Sequence, residues 1–199
     1  MRLSRHPVGT RQRGMVLIAS LLLLLVITLL AVAMLRSMGI DAKIAGNVRE
    51  KQRALHAAES AQQYAEWWLT TNGNSSQAPV ACNAVLSANL GQGQICNTTL
   101  QALNINPATV PWQITGSAVG VTYIPVGMNA SGVTATGLSA ANTYASSPIF
   151  YIGIVGPAAD GQGIVYQIDA VGYGGTQNTV AIVESTYEVG SGVTNRGGL

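Results

Sequence analysis

From Met15 to Leu35 the chain runs through 21 residues without a charge. As a helix rising about 1.5 Å per residue, such a run is about 30 Å long, the thickness of a bilayer's hydrocarbon core. The helical signal continues beyond it. Ile40, Ile44, Val48, Leu55, Ala58, Ala65 and Leu69 follow one another at steps of three, four or seven, with Lys43, Arg49, Glu50, Lys51, Arg53 and Glu66 mostly off that stripe. No proline lies between Pro7 and Pro79. The pattern therefore predicts one helix from Met15 to about Thr70, ~84 Å if straight. Gly39 and Gly46 each cost it about 1 kcal/mol, and Asn72-Gly73-Asn74 stops it. Trp67 and Trp68 close the helix, either as core residues beneath a head domain, one ring at a wet boundary, or as an interaction patch.

The last third changes period. Residues 147–155, 163–173 and 178–189 are rich in Val, Ile and Tyr, and turn-forming Gly156-Pro157 to Gly161 and Gly174-Gly175 separate them. In the third run Glu184, Thr186 and Glu188 share one face while Ala181, Val183, Tyr187 and Val189 share the other. That alternation predicts one wet face and one packed on the helix. Weaker strands are expected at 110–115 and 119–126. Short adjacent strands with tight turns favour an antiparallel meander.

Charge is distributed unevenly. Nine of the ten basic residues lie at or before Arg53, and residues 71–199 carry only Arg196 against Asp160, Asp169, Glu184 and Glu188, a net −3. The overall +2 thus belongs to the N-terminus, where Arg2, Arg5, Arg11 and Arg13 precede the apolar run without an acid. That leader orients the N-terminus to the cytoplasm, and the mildly acidic remainder gives no reason to expect direct nucleic-acid binding. Cys82 and Cys96 fall in the part that would be translocated. An even count in an oxidising compartment reads as a disulfide, against the alternative of two buried free thiols. Closing a loop of about 15 residues would stabilise by roughly 3 kcal/mol.

Catalytic chemistry finds no footing. Beyond residue 70 there is no His and no Lys, and the four carboxylates are scattered, so neither an acid–base pair nor a nucleophile–base pair stands out. Asp160-Gly161-Gln162-Gly163 lacks the oxygen spacing of a calcium loop and reads as a turn. Gly172-Tyr173-Gly174-Gly175 reads likewise, with no helix or Lys after it to bind phosphate. No metal and no cofactor is expected.

A secretory signal is cut after its apolar stretch, whereas here Arg13-Gly14-Met15 places the junction before it. A basic leader, then Gly, then Met and about 20 apolar residues running on into an amphipathic helix resembles a type IV prepilin. The likeness extends to Ile44-Ala45-Gly46-Asn47-Val48-Arg49-Glu50 and Ala57-Ala58-Glu59, and to the hairpin residues 166–174 and 183–187, which resemble those of PilX-family minor pilins. It covers residues 11–69 and 164–188 and is absent over 71–146.

The resemblance implies cleavage by a prepilin peptidase between Gly14 and Met15 and methylation of the new Met15 amine. It divides the chain into a leader (1–14), a transmembrane and assembly half of the helix (15–35), an amphipathic half (36–70) and a periplasmic or extracellular head (71–199). The implied fold is α+β and pilin-like, a long N-terminal helix packed on an antiparallel β-meander. Implied partners are other minor pilins, the major pilin, the peptidase and the inner-membrane assembly platform. The subunit would sit in the inner membrane, head in the periplasm, and then in the pilus. One departure is informative. Most type IV pilins carry a glutamate at the fifth mature position, a costly charge inside a membrane, which pairs with a neighbour's N-terminal amine. This chain has Ala19 there and no acid before Asp41. That fits a subunit with no predecessor above it, at a tip or in a priming complex, or else drift in a subunit placed elsewhere. A type II secretion minor pseudopilin shares this architecture, and a membrane-anchored adhesin or sensor domain is the reading outside it.

Overall fold

The computed structural model describes residues 13–87, 92–125, 128, 143–190 and 196–197. Its first element is the long helix α1 (Arg13–Thr70), and the chain separates within it into two compact units, divided between Asn47 and Val48.

In the first unit the apolar run is a helix whose large side chains, from Met15 to Leu35, are exposed. Its two hydroxyl side chains bond within the helix, Ser20 Oγ to the Leu17 carbonyl (2.9 Å) and Thr28 Oγ1 to that of Leu25 (2.8 Å). No polar group of theirs is then left for a hydrocarbon environment to satisfy.

The second unit sets the C-terminal part of α1 on a six-stranded sheet of order β1-β4-β5-β6-β7-β8, made of Val85–Ser87, Gly120–Thr122, Ile149–Pro157, Gly163–Tyr173, Val180–Gly190 and Arg196–Gly197. A separate two-stranded ribbon pairs β2 (Gln113–Ile114) with β3 (Ser117–Ala118). The three long strands form the expected meander, antiparallel throughout. The strand expected over 163–173 has those bounds, and its two neighbours lie about two residues further along than expected. The edge departs from the expectation, because β1 pairs parallel with β4. The expected strands at 110–115 and 119–126 shrink to two or three residues each. Thr115 and Gly116, both at positive φ, turn the chain sharply between β2 and β3.

Helix α1 ends where Asn72 (φ 53°) and Gly73 (φ 71°) enter the left-handed region. The Asn74 side chain then donates to the Trp68 carbonyl, 2.9 Å, so an orphan carbonyl of the last turn is satisfied.

The sheet has two covered faces. On one, Phe150, Ile152, Tyr166, Ile168, Ala170 and Tyr187 pack on Ala61, Tyr64, Ala65, Trp68 and Leu69 of α1. The helix side of this seam is largely alanine. Ala58, Ala65 and Leu69 of the expected stripe are buried, with Ala54, Ala57 and Ala61 beside them. The other members of the stripe, Ile40 and Ile44 in the first unit and Val48 and Leu55 in the second, are exposed. Small residues win the seam because the backbones come so close. At Gly172 a Cβ would lie 2.3 Å from both the Ala54 oxygen and the Ala58 nitrogen.

The other face was expected to be wet and is not so at its centre. Residues of the segment between the helix and β5 cover it, where Cys82, Cys96, Leu100, Trp112 and Val119 pack with Tyr151 and Val171. Cys96 bonds both ways with β5, its amide to the Ile152 carbonyl (2.7 Å) and its carbonyl from the Ile154 amide (2.9 Å). Gly153 admits this approach, since a Cβ there would meet the Thr98–Thr99 backbone at 2.7–2.8 Å. Glu184 and Thr186 remain exposed toward the edge of that face.

Candidate functional site

A helix apolar around its whole circumference buries nothing by folding alone and needs lipid or other helices against it. Residues 15–35 meet that description. Met15 is 74% exposed and Leu35 68%, with the apolar side chains between them at half exposure or more. α1 is long and apolar enough to cross a membrane by length and composition. Gly14 and Met15 lie in its first turns and Ala19 one turn on. Ala19 is exposed and neutral, so this turn offers no carboxylate to an incoming ammonium.

Further along, charged side chains of α1 grip the head. Glu50 accepts from the Gly175 amide through Oε2 and from Arg53 through Oε1 (2.8 Å). Arg53 in turn donates to the Thr143 carbonyl (3.2 Å) and lies 4.6 Å over the Tyr144 ring. Lys51 Nζ donates to the Val180 carbonyl. The Gly175 amide, then Arg53, holds the Glu50 carboxyl below its ordinary range. Parts of two stretches singled out in the sequence, Glu50 and residues 57–59 on the helix and 166–174 on the hairpin, therefore converge within the second unit. The helix supplies Glu50 and the flat alanine seam, and the hairpin supplies Gly172, Gly174 and Gly175. At Gly174 a Cβ would stand 2.8 Å from the Glu50 carbonyl oxygen. In the sequence Arg53 stands out only as a charge off the apolar stripe, and Glu50 also as the end of the stretch that resembles the PilX family.

Cys82 and Cys96 are bridged, their Cα atoms 5.5 Å apart and 14 residues apart in sequence. They lie in the core of the face away from the helix, where the bridge joins the segment after α1 to the one laid on β5. The tryptophans part company: Trp68 is buried, and a Cβ at Gly93 would strike its ring at 2.5 Å. Trp67 is 52% exposed. Tyr64, its ring 5.6 Å from that of Trp67, stacks on Tyr123 at 4.4 Å and donates to the Gln92 carbonyl (3.1 Å).

The Asp160 region is a turn, with the Gln162 amide donating to Asp160 Oδ1 at 2.9 Å and Gly161 at φ 68°. Among the described residues no group of three or more His, Cys, Asp or Glu forms a possible metal site. One of the four acids that look scattered in the sequence, Asp169, is fully buried at the centre of the sheet. Alternation alone places it on the face with Glu184, and the cover over that face is what buries it.

Compared with known proteins, residues 13–62 match the family model described as PilX N-terminal. No curated protein and no solved structure matches the chain.

Proposed function

We propose that this chain, which carries the N-terminal segment of PilX-family pilins over residues 13–62, works in type IV pilus assembly as a minor pilin of a tip or priming complex. The family match supports the minor-pilin role, and the α+β architecture with its long apolar helix fits it. The prepilin peptidase cuts after Gly14, and Met15 receives the methyl group. The exposed helix over 15–35 holds the subunit in the inner membrane until neighbouring pilin helices replace lipid around it. The head stays outside the membrane, held to its part of α1 by the Glu50–Arg53 grip and the alanine seam.

The observation that carries the position is Ala19. A subunit inserted behind a predecessor gains from a carboxylate that pairs with that predecessor's amine. A subunit that starts the fibre has no such amine to meet, and a carboxylate there would find apolar surroundings at a cost of about 3 kcal/mol. Ala19→Glu is the test, read as the amount of this subunit in sheared fibres and as piliation. The tip or priming position predicts no gain in either. More subunit in the fibre would overturn it and place the chain along the shaft.

A further inference from the structure

Asp169 is a carboxyl with no exposure at all, in the middle strand of the sheet. Its register partner on β7 is Glu184 and its partner on β5 is Tyr151. The two acids lie side by side in register on the face covered by the disulfide-bearing segment. Two glutamines complete the cluster. Gln167 Nε2 donates to both Asp169 oxygens (3.3 Å each) and to Gln101 Oε1 (2.6 Å), while Gln101 Nε2 donates to Glu184 Oε2 (3.1 Å). Gln101 opens the short 3-10 helix Gln101–Leu103 in the covering segment. That segment is also held by Leu100 in the core and by the Tyr151 hydroxyl donating to the Thr98 carbonyl, 3.0 Å.

The other titratable groups on this face are the hydroxyls of Tyr151 and Tyr173, both pushed up by burial, and Glu188, which is paired in register with Arg196 of β8. Among the described residues, no Lys, Arg or His forms an ion pair with Asp169 or Glu184. A fully buried carboxyl with a second carboxyl beside it and no cation keeps its proton at pH values where an isolated carboxyl has lost it. Burial, then the charge of Glu184, raises Asp169 to about 7.

We propose that Asp169 and Glu184 form a one-proton latch that keeps the Gln101 segment shut on the sheet and releases it as the proton is lost. The sheet itself is the stiff side, since β5, β6 and β7 are paired along their length. The segment over it is short and irregular, so lifting it is the easier way to bring water to a second negative charge. Linkage sets the sign. The shut state holds a proton that the opened state, with an ordinary carboxyl, gives up at about pH 4. Opening therefore increases about tenfold per pH unit from there and levels off at about pH 7.

Hydrogen–deuterium exchange of the full chain in detergent micelles, from about pH 5 to about pH 8 and corrected for intrinsic exchange, reads this directly on the amides of residues 96–105. Their protection is expected to fall about tenfold per pH unit and then to level near pH 7, while amides of β6 stay protected. In Asp169→Asn the fall should vanish, because the amide keeps its shape and never ionises. Glu184→Gln, at an exposed position, should move the levelling point to lower pH, and it decides the matter if Asp169→Asn fails to fold. Protection that is flat with pH in the wild type, or a levelling point unmoved in Glu184→Gln, would overturn the latch.

Discussion

Replacing Gly172 with alanine puts a methyl group where the sheet and α1 are nearly in backbone contact. The added Cβ would lie 2.3 Å from the Ala54 oxygen, 2.3 Å from the Ala58 nitrogen and 2.9 Å from the Ala57 carbonyl carbon. Normal contact is about 3.5–4.0 Å, and none of these atoms belongs to a side chain that can swing away. The helix must retreat by about 1 Å over the seam of Ala54, Ala57, Ala58, Ala61 and Ala65, which forfeits about a quarter to a half of the dispersion attraction there. Overpacking of a close-packed site costs about 1–3 kcal/mol, and a backbone-on-backbone clash belongs at the upper end. The loss of glycine's freedom in the unfolded chain returns about 0.4–1 kcal/mol. The balance is a destabilisation of about 2 kcal/mol, or a Tm lower by about 4–8 °C for a domain of this size. Intrinsic fluorescence is suited to the measurement, because Trp68 and Trp112 are buried in the two cores. Gly46→Ala is the control, since nothing lies within 4 Å of a Cβ there, and it should leave the transition unchanged or slightly raised. A Tm for Gly172→Ala equal to wild type would refute the account of why the seam is built of small residues.

The remaining predictions address the ends of the assembly argument. Mass spectrometry of the mature N-terminus should find methylated Met15, and Gly14→Leu should leave the uncut precursor in the membrane; a mature chain beginning at Met1 or beyond Leu35 would rule out the prepilin reading. Non-reducing peptide maps of periplasmic material should recover Cys82 joined to Cys96. Replacing both by serine should lower head stability by about 3 kcal/mol in denaturant titration, as expected for a loop of about 15 residues, and an unchanged midpoint would show that the bridge adds nothing.

Local features of the chain were legible without the structure because their causes are local. An uncharged run needs no partner to be recognised as bilayer-length, and the absence of proline to Pro79 with Asn72-Gly73 at the end bounds one helix. The density of Val, Ile and Tyr over 163–173 likewise marks a strand whatever lies beside it. The Arg13-Gly14-Met15 junction and the missing acid at Ala19 are equally matters of neighbouring residues. The face that α1 turns to the sheet was legible in part: Ala58, Ala65 and Leu69 of the stripe are buried. The period also pointed to Val48 and Leu55, yet the closest approach selected alanines against Gly172, and a small residue carries little hydropathy to announce itself. Tertiary structure alone decided the parallel β1–β4 edge, the cover on the second face, and the state of Asp169. That carboxyl looks ordinary in the chain. It becomes unusual when folding brings Glu184 beside it and lays over both a segment whose Gln101 is 83 residues distant from Glu184 in sequence. Burial and proximity, which set the cost of a charge, belong to three-dimensional neighbours that no stretch of sequence contains.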